Sequence, residues 1–464
     1  MKTLIFVLAA AVAVSGFALP RLTDVAVVES GNHVVTVSYK LADEPGVVTM
    51  DVQTNDVATG AWASIGGENI TPSLVGKVGK YVENGPSVNV ITWRPNKSWP
   101  GYRFDNNTAK VVLTAWPTNA PPTFMVVDLK AESDRVTYYP DKRSVPGGVS
   151  NDVYKTDKII LRKIPAAGIT WQMGAPTTEK HYSDSQKLHD VTLTEDYYMA
   201  CYETTKGYWD NVNAYSTKVL KSGLYNCGRE PTDNYNASYS ESEKNMCPLG
   251  RVTYGAVRGT QDAQHHNWPR DGHSVESYSF LGALRHMTGG LLFDLPTDAQ
   301  WEFAARAGTS TQTYYGNPFY SDGWSQTGNM DYELVEKYAW VGDNAKIGDV
   351  NCCHPVGRKL PNDFDLYDVI GNENEVCLDR WQSDLGSDAV VDPKGSESDS
   401  VTARVVRGSN FTGTDWWSAK SAWRRVGAPV SKATAMWVGC SWRSTSYKVL
   451  VKPRVAEVFT PLDV

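Results

Sequence analysis

Seven cysteines, eight histidines and a late cluster of tryptophans are the side chains through which this chain could do chemistry. Cys201, Cys227, Cys247, Cys352, Cys353, Cys377 and Cys440 include no Cys-x-x-Cys, so zinc-ribbon and thioredoxin-like chemistry lacks its motif. Cys227 and Cys247 bracket a polar loop that a disulfide would close. Cys352 and Cys353 are adjacent and pair poorly with each other, and the odd total leaves at least one thiol over. His265, His266 and His273 share a polar stretch, but no carboxylate or thiol stands beside them at a ligand spacing, and an exposed loop is expected there. No nucleophile elbow Gly-x-Ser-x-Gly and no phosphate loop Gly-x-x-x-x-Gly-Lys occurs. Paired carboxylates for sugar hydrolysis stay open, because geometry alone identifies such a pair.

The run Ser409-Asn-Phe-Thr-Gly-Thr-Asp-Trp-Trp417 is followed by Trp423, Arg424, Arg425, Met436, Trp437 and Trp442. Displayed on a surface, Asn410, Trp416, Trp417, Trp423, Arg424, Arg425, Trp437 and Trp442 would form an aromatic, basic face that stacks on sugar rings or anchors a protein partner. Buried, half of the same tryptophans would be core. Both readings fit a chain with 16 Trp and 24 Tyr.

The element best marked to support such a face is Phe293–Gly308. Thr297 caps a helix, Gln300 completes a capping box, Trp301, Ala304 and Ala305 share one side, and Gly308 is placed to end it. Ser279–Met287 also has helical spacing, with Phe280, Leu281, Leu284 and Met287 on one side. Lys158–Pro165 is dense enough in apolar residues for a buried strand. Upstream the period changes to two. Val35, Val37, Tyr39 and Leu41, then Val48, Met50 and Val52, then Ala109, Val111, Leu113 and Ala115 mark strands over residues 19–116. That pattern predicts a small immunoglobulin- or fibronectin-like β-sandwich with no evident chemistry of its own.

Residues 1–18 read as a secretory leader. Lys2 is its positive end, Leu4–Val14 is apolar but too short to span a bilayer, and Gly16-Phe-Ala18 is a small-residue cleavage site. No later run is long and apolar enough for a membrane helix, so the mature protein is expected to be secreted or periplasmic and not membrane-spanning. The net charge of −7, about −8 without Lys2, gives no electrostatic footprint for nucleic acid. Pro117–Asp157 is expected to be a linker holding one stray strand at Phe124–Leu129, residues 158–446 a large domain, and 447–464 a tail.

The wording of the large domain is more specific than its periodicity. Leu295-Pro-Thr-Asp-Ala-Gln-Trp-Glu-Phe-Ala-Ala-Arg-Ala-Gly308 resembles the LPTE-A-EWE-AARAG signature of the formylglycine-generating, or sulfatase-modifying factor, family. Trp171–Pro176, Tyr197–Thr205, Leu360–Asn372, Arg404–Ser409, Ser421–Arg424 and Val438–Arg443 resemble further family pieces in the family's order, over about two thirds of the chain. The resemblance implies an α+β, loop-rich, C-type-lectin-like fold. It also implies oxidation of a sulfatase cysteine to formylglycine at a copper ion held by two thiolates, because soft thiolates select Cu(I). The matching positions fall near Trp416 and Ser421, and no cysteine lies between Cys377 and Cys440, so copper is not expected.

Calcium is the family's usual structural ion, and a hard cation would gather backbone carbonyls that an irregular domain leaves unpaired. Two places suit it: Asn344, the Ala345 carbonyl and Asp349 in one, and Gly371, Asn372 and Glu375 in the other. The sequence is therefore read as an exported, non-catalytic binding module for a carbohydrate or cell-surface protein ligand. A formylglycine-generating oxidase and a structural envelope protein are the alternatives.

Overall fold

The alternating residues of the first hundred positions become strands, and their inward halves meet. In the computed structural model, which describes residues 7–11, 19–56, 58–100, 109–179, 181–224, 238–250, 252–259, 268–269, 274–319, 330–398, 400–412, 418–429, 445–446 and 450–451, the chain divides into two units. The first takes residues up to 127 and from 131 to 151, and the second takes 128–130 and 152–452.

In the first unit, Arg21–Glu29, Val35–Ala42, Asn89–Trp93 and Leu74–Gly76 form one antiparallel sheet. Gly46–Asn55 lies between Ala109–Pro117 and Trp62–Ser64 in another. Val37, Tyr39, Leu41, Ile91 and Trp93 from the first share one apolar cluster with Val48, Met50, Val52, Val111, Leu113 and Ala115 from the second. Val7–Ala11, the described part of the expected leader, runs parallel to Ala109–Pro117 and pairs with Val111–Ala115. An apolar run meeting an open edge strand satisfies that edge.

The expected linker is largely part of this unit. Phe124–Asp128 pairs antiparallel with Val136–Tyr139, the Tyr138 amide donates to the Gly79 carbonyl at 2.7 Å, and Thr71 Oγ1 donates to the Ser144 carbonyl at 2.8 Å. The first of these strands matches the one expected at Phe124–Leu129, whereas the breakers around the short Val136–Tyr139 concealed the second from a reading by period.

The second unit is mixed α/β and rich in small sheets. Lys158–Ile164, Tyr197–Ala200, Leu450–Val451 and Phe293–Asp294 are successive antiparallel neighbours. Leu450–Val451 lies inside the expected tail and is instead an interior strand. A four-stranded sheet runs Arg425–Pro429, Ala403–Arg407, Asn374–Arg380, Thr445–Ser446. The helices Lys206–Tyr215 and Phe280–Met287 pack through Trp209 and Phe280, stacked 5.5 Å apart.

The helix Asp298–Arg306 sits against the main core, with Ala299, Trp301, Ala304 and Ala305 fully buried. Its capping box is complete: Thr297 Oγ1 accepts from the Gln300 amide at 3.2 Å and Gln300 Oε1 accepts from the Thr297 amide at 2.9 Å. The left-handed residue that ends the helix is Ala307 (φ 46°), one before the expected Gly308. Thr297→Ala removes one half of the box and is expected to cost about 1 kcal/mol, read as a lower midpoint for the large unit in denaturant unfolding.

Candidate functional site

Asp298, Glu302 and Arg306 recur every fourth residue on one helix, and each is nearly or fully buried. Such burial requires partners. Arg407, fully buried at the end of the Ala403–Arg407 strand, donates from Nε to Asp298 Oδ1 at 2.5 Å and pairs through Nη1 with Glu302 Oε2 at 3.0 Å. Arg424 Nε lies 2.7 Å from the other Asp298 oxygen, and Arg306 Nη2 lies 2.8 Å from Glu302 Oε1. Glu302 also accepts from the Gly174 amide at 2.9 Å, and Arg306 donates back to the Gly174 carbonyl at 2.7 Å. Although burial pushes the Asp298 carboxyl up, the Arg407 and Arg424 guanidinium groups hold it below the ordinary carboxylate range.

This network carries the residues that follow the strand, 408–412 and 418–424. Arg407 Nη1 donates to the Ser421 carbonyl at 2.9 Å, Ser421 N donates to the Gln312 carbonyl at 2.8 Å, and the Ser409 and Ser418 hydroxyls lie 2.8 Å apart. A second support is the turn at Gly371-Asn372, both with positive φ (83° and 58°). Gly371 N donates to the Gly408 carbonyl at 2.7 Å, and the Asn372 carbonyl accepts from Phe411 N at 2.8 Å. A side chain at Gly371 would meet the Trp340 carbonyl oxygen at 2.5 Å, so glycine is required there for space as well as for conformation.

Of the expected binding face, Trp423 is half-buried and Arg425 is exposed. Asn410 and Arg424 are corrected. The Asn410 side chain is buried and accepts from Thr412 Oγ1 at 2.8 Å, and Arg424 is buried on Asp298, 4.9 Å over the Trp381 ring. Arg424 holds the segment from beneath, because the carboxylate of Asp298 outcompetes solvent for the guanidinium, and Asn410 closes a local turn with Thr412. Trp416, Trp417, Trp437 and Trp442 lie outside the described residues, as do Cys227, Cys440, His265, His266 and His273.

The two cation places differ. Asn344 Oδ1 accepts from Val341 N at 2.7 Å and its amide donates to the Ala339 carbonyl at 2.9 Å, so its side chain closes a turn. The Ala345 carbonyl accepts from His354 Nε2 at 3.1 Å, and Asp349 stands exposed in a hairpin tip. In the second place, Asn372 Nδ2 donates to Glu203 Oε2 at 2.7 Å, Glu203 Oε1 accepts from Glu373 N at 3.0 Å, and Glu375 Oε2 accepts from Trp301 Nε1 at 2.7 Å. Glu203, Glu373 and Glu375 are all fully buried. Among the described residues no three His, Cys, Asp or Glu side chains converge as metal ligands. Glu203, Asp298, Glu302 and Arg407 were not picked out from sequence, although the acidic i, i+4 spacing at 298 and 302 was there to be read.

A model of the sulfatase-modifying factor enzyme 1-like domain matches residues 157–440, more than half of the chain. The chain belongs to this FGE-sulfatase family. It is 35% identical over 147 residues to a formylglycine-generating enzyme of Thermomonospora curvata, covering 31% of this chain and 46% of that protein. It is 26% identical over 283 residues to the formylglycine-generating enzyme of Bos taurus, covering 58% and 68%. The chain thus spans less than half of the Thermomonospora protein. Among solved structures, Treponema denticola variable protein 1 aligns over 64% of this chain and 96% of its own at 21% identity, with a TM-score of 0.43, which carries no functional weight.

Within the FGE-sulfatase domain, the position expected at Ser421 is a buried hydroxyl. Cys377 is fully buried in the main core, where burial, and then the charge of Asp298, push its thiol well up. Cys247 is buried beside Cys353 inside the domain, and Cys227, its expected partner, lies outside the described residues. Asp379, whose Oδ2 accepts from the Asp298 amide at 2.8 Å, is pushed up to about 8 by burial and then by the charge of Asp298. A folded value above the unfolded one near 3.8 means that the native state holds the proton between them. Its contribution to stability is full below about pH 4 and is lost as pH rises through about 8. Asp379→Asn keeps the acceptor and is expected to flatten that part of the profile. A decline from pH 5 to pH 8 that is equally steep in Asp379→Asn, by denaturant titration, would refute the assignment.

Proposed function

We propose that this chain is an exported, non-catalytic binding module built on a formylglycine-generating-enzyme scaffold of C-type-lectin type, with an immunoglobulin- or fibronectin-like sandwich ahead of it as a spacer. One observation carries the reading. Arg407 and Arg424, at either end of the segment between them, are tied by buried ion pairs to Asp298, yet no thiol occurs from Leu378 to Gly439. Trp416 and Ser421 cannot act as thiolates, so the copper site implied by the family does not fit these residues, and no oxidation step is derived through it. Trp423 and Arg425, with Trp416, Trp417, Trp437 and Trp442 from the same stretch, supply aromatic and cationic groups for a carbohydrate or a cell-surface protein.

The second reading is a formylglycine-generating oxidase, favoured by the names of the relatives above. The two separate in one assay: the full chain with copper, reductant, oxygen and a cysteine-containing sulfatase-type peptide, followed by mass spectrometry. No thiol-to-aldehyde conversion is expected. Conversion that Cys440→Ser abolished would replace the binding-module reading with the oxidase.

Calcium belongs to the proposal at the second place, where backbone carbonyls of the Gly371–Glu375 turn and the side-chain oxygens of the fully buried Asn372 and Glu375 would supply the hard donors it takes. Treatment with a calcium chelator is expected to lower the melting temperature of the large unit, and calcium, not magnesium, to restore it. An unchanged melting curve would remove calcium from the account.

A further inference from the structure

Cys247 and Cys353 are both fully buried, and they belong to one small apolar cluster with Tyr239, Ala345 and Phe411. Their thiols lie within hydrogen-bonding reach of each other. Their backbones are already tied, because Val356 N donates to the Met246 carbonyl at 3.0 Å, one residue from Cys247 and three from Cys353. Cys247 is also fixed from its other side, where its carbonyl accepts from Lys206 N at 3.0 Å. The neighbouring Cys352 is directed elsewhere, its sulfur facing the Ala345 carbonyl oxygen at 3.9 Å. The sequence therefore offers two adjacent thiols at 352 and 353, and the fold brings the second of them to Cys247.

We propose that Cys247 and Cys353 are a disulfide site of this protein. In the reaction the two thiols give up two protons and two electrons as the sulfur–sulfur bond forms, and an incoming disulfide, such as oxidised glutathione or that of a thiol oxidase, is reduced to two thiols. Burial pushes the Cys353 thiol well up, and its contact with Cys247 adds to this, so the folded pair is a poor nucleophile. The bond therefore forms while the chain folds, and afterwards burial shields it from soluble reductants.

The bridge would join the end of the Glu241–Met246 helix to the residue before His354. It closes a loop of about a hundred residues that contains the Phe280–Met287 and Asp298–Arg306 helices, the long-loop case in which a cross-link most restricts the unfolded chain. It also fixes one wall of the Gly371–Glu375 turn. His354 N donates to Asn372 Oδ1 at 2.9 Å and the His354 carbonyl accepts from Asn372 Nδ2 at 3.1 Å. Immobilising Cys353 immobilises that pair of bonds. Whether the cell makes the bond rests on the proposed export, and the test separates the two.

The full chain is refolded from denaturant either with a mixture of reduced and oxidised glutathione or with a reductant alone. Free thiols are then alkylated and the peptides mapped without reduction. The expected result is a cross-linked Cys247–Cys353 peptide, two hydrogens lighter than the sum of its parts, in the glutathione sample. The melting temperature of that sample should be higher on the order of 10 °C. Cys353→Ala should abolish both, and Cys352→Ala should leave both. Alkylation of Cys353 in the oxidised wild type, or Cys247 linked to Cys227 or Cys352, would overturn the site. A bond formed in glutathione but missing from protein collected outside producing cells would leave the site standing and count against the export reading.

Discussion

Asp298 and Arg407 meet where neither can reach water, and much of the large unit is arranged to make that tolerable. A guanidinium with no exposed surface must be matched by oxygens on nearly every side, and Arg407 finds them on Asp298, Glu302 and the carbonyls of Ser421 and Trp423. Asp298 in turn needs a second cation, which Arg424 supplies. Glu302 needs Arg306 and the Gly174 amide. The helix, the end of one strand, the segment after it and a turn more than a hundred residues earlier are thereby tied at one point. Loss of any member would leave a buried charge unmatched, which costs about 3–5 kcal/mol in comparable pairs.

That point also holds the described ends of the segment that follows the strand, residues 408–412 and 418–424. The groups that hold Gly408–Arg424 are backbone carbonyls, two serine hydroxyls and charges from underneath. The side chains facing outward are under no such constraint. A scaffold fixed from below leaves outward positions such as the exposed Arg425 outside the buried network.

The legible parts of the sequence were those in which one local rule decides the outcome. Thr297 and Gln300 are three residues apart and need only each other, so the capping box was readable in advance. The alternation at Val35, Val37, Tyr39 and Leu41 likewise needs only one buried face. Arg424 was misread because its type says surface, whereas its partner Asp298 lies 126 positions earlier, and no local pattern joins them. Tyr138 pairs with Gly79, and Leu450–Val451 with two strands distant in sequence. Both were hidden for the same reason, that two- to four-residue strands have too few positions to show a period. Cys353 drew notice as the neighbour of Cys352, but its placement at Cys247 comes from the tertiary fold.

Leu450–Val451 has a consequence for biogenesis. It lies between Tyr197–Ala200 and Phe293–Asp294, so the sheet that joins the early and middle parts of the large unit is incomplete until a segment far downstream of both has been synthesised. A nascent chain of this protein carries two open strand edges from the emergence of Phe293–Asp294 until Leu450–Val451 follows. In that interval it presents the unpaired strand edges that holding chaperones recognise.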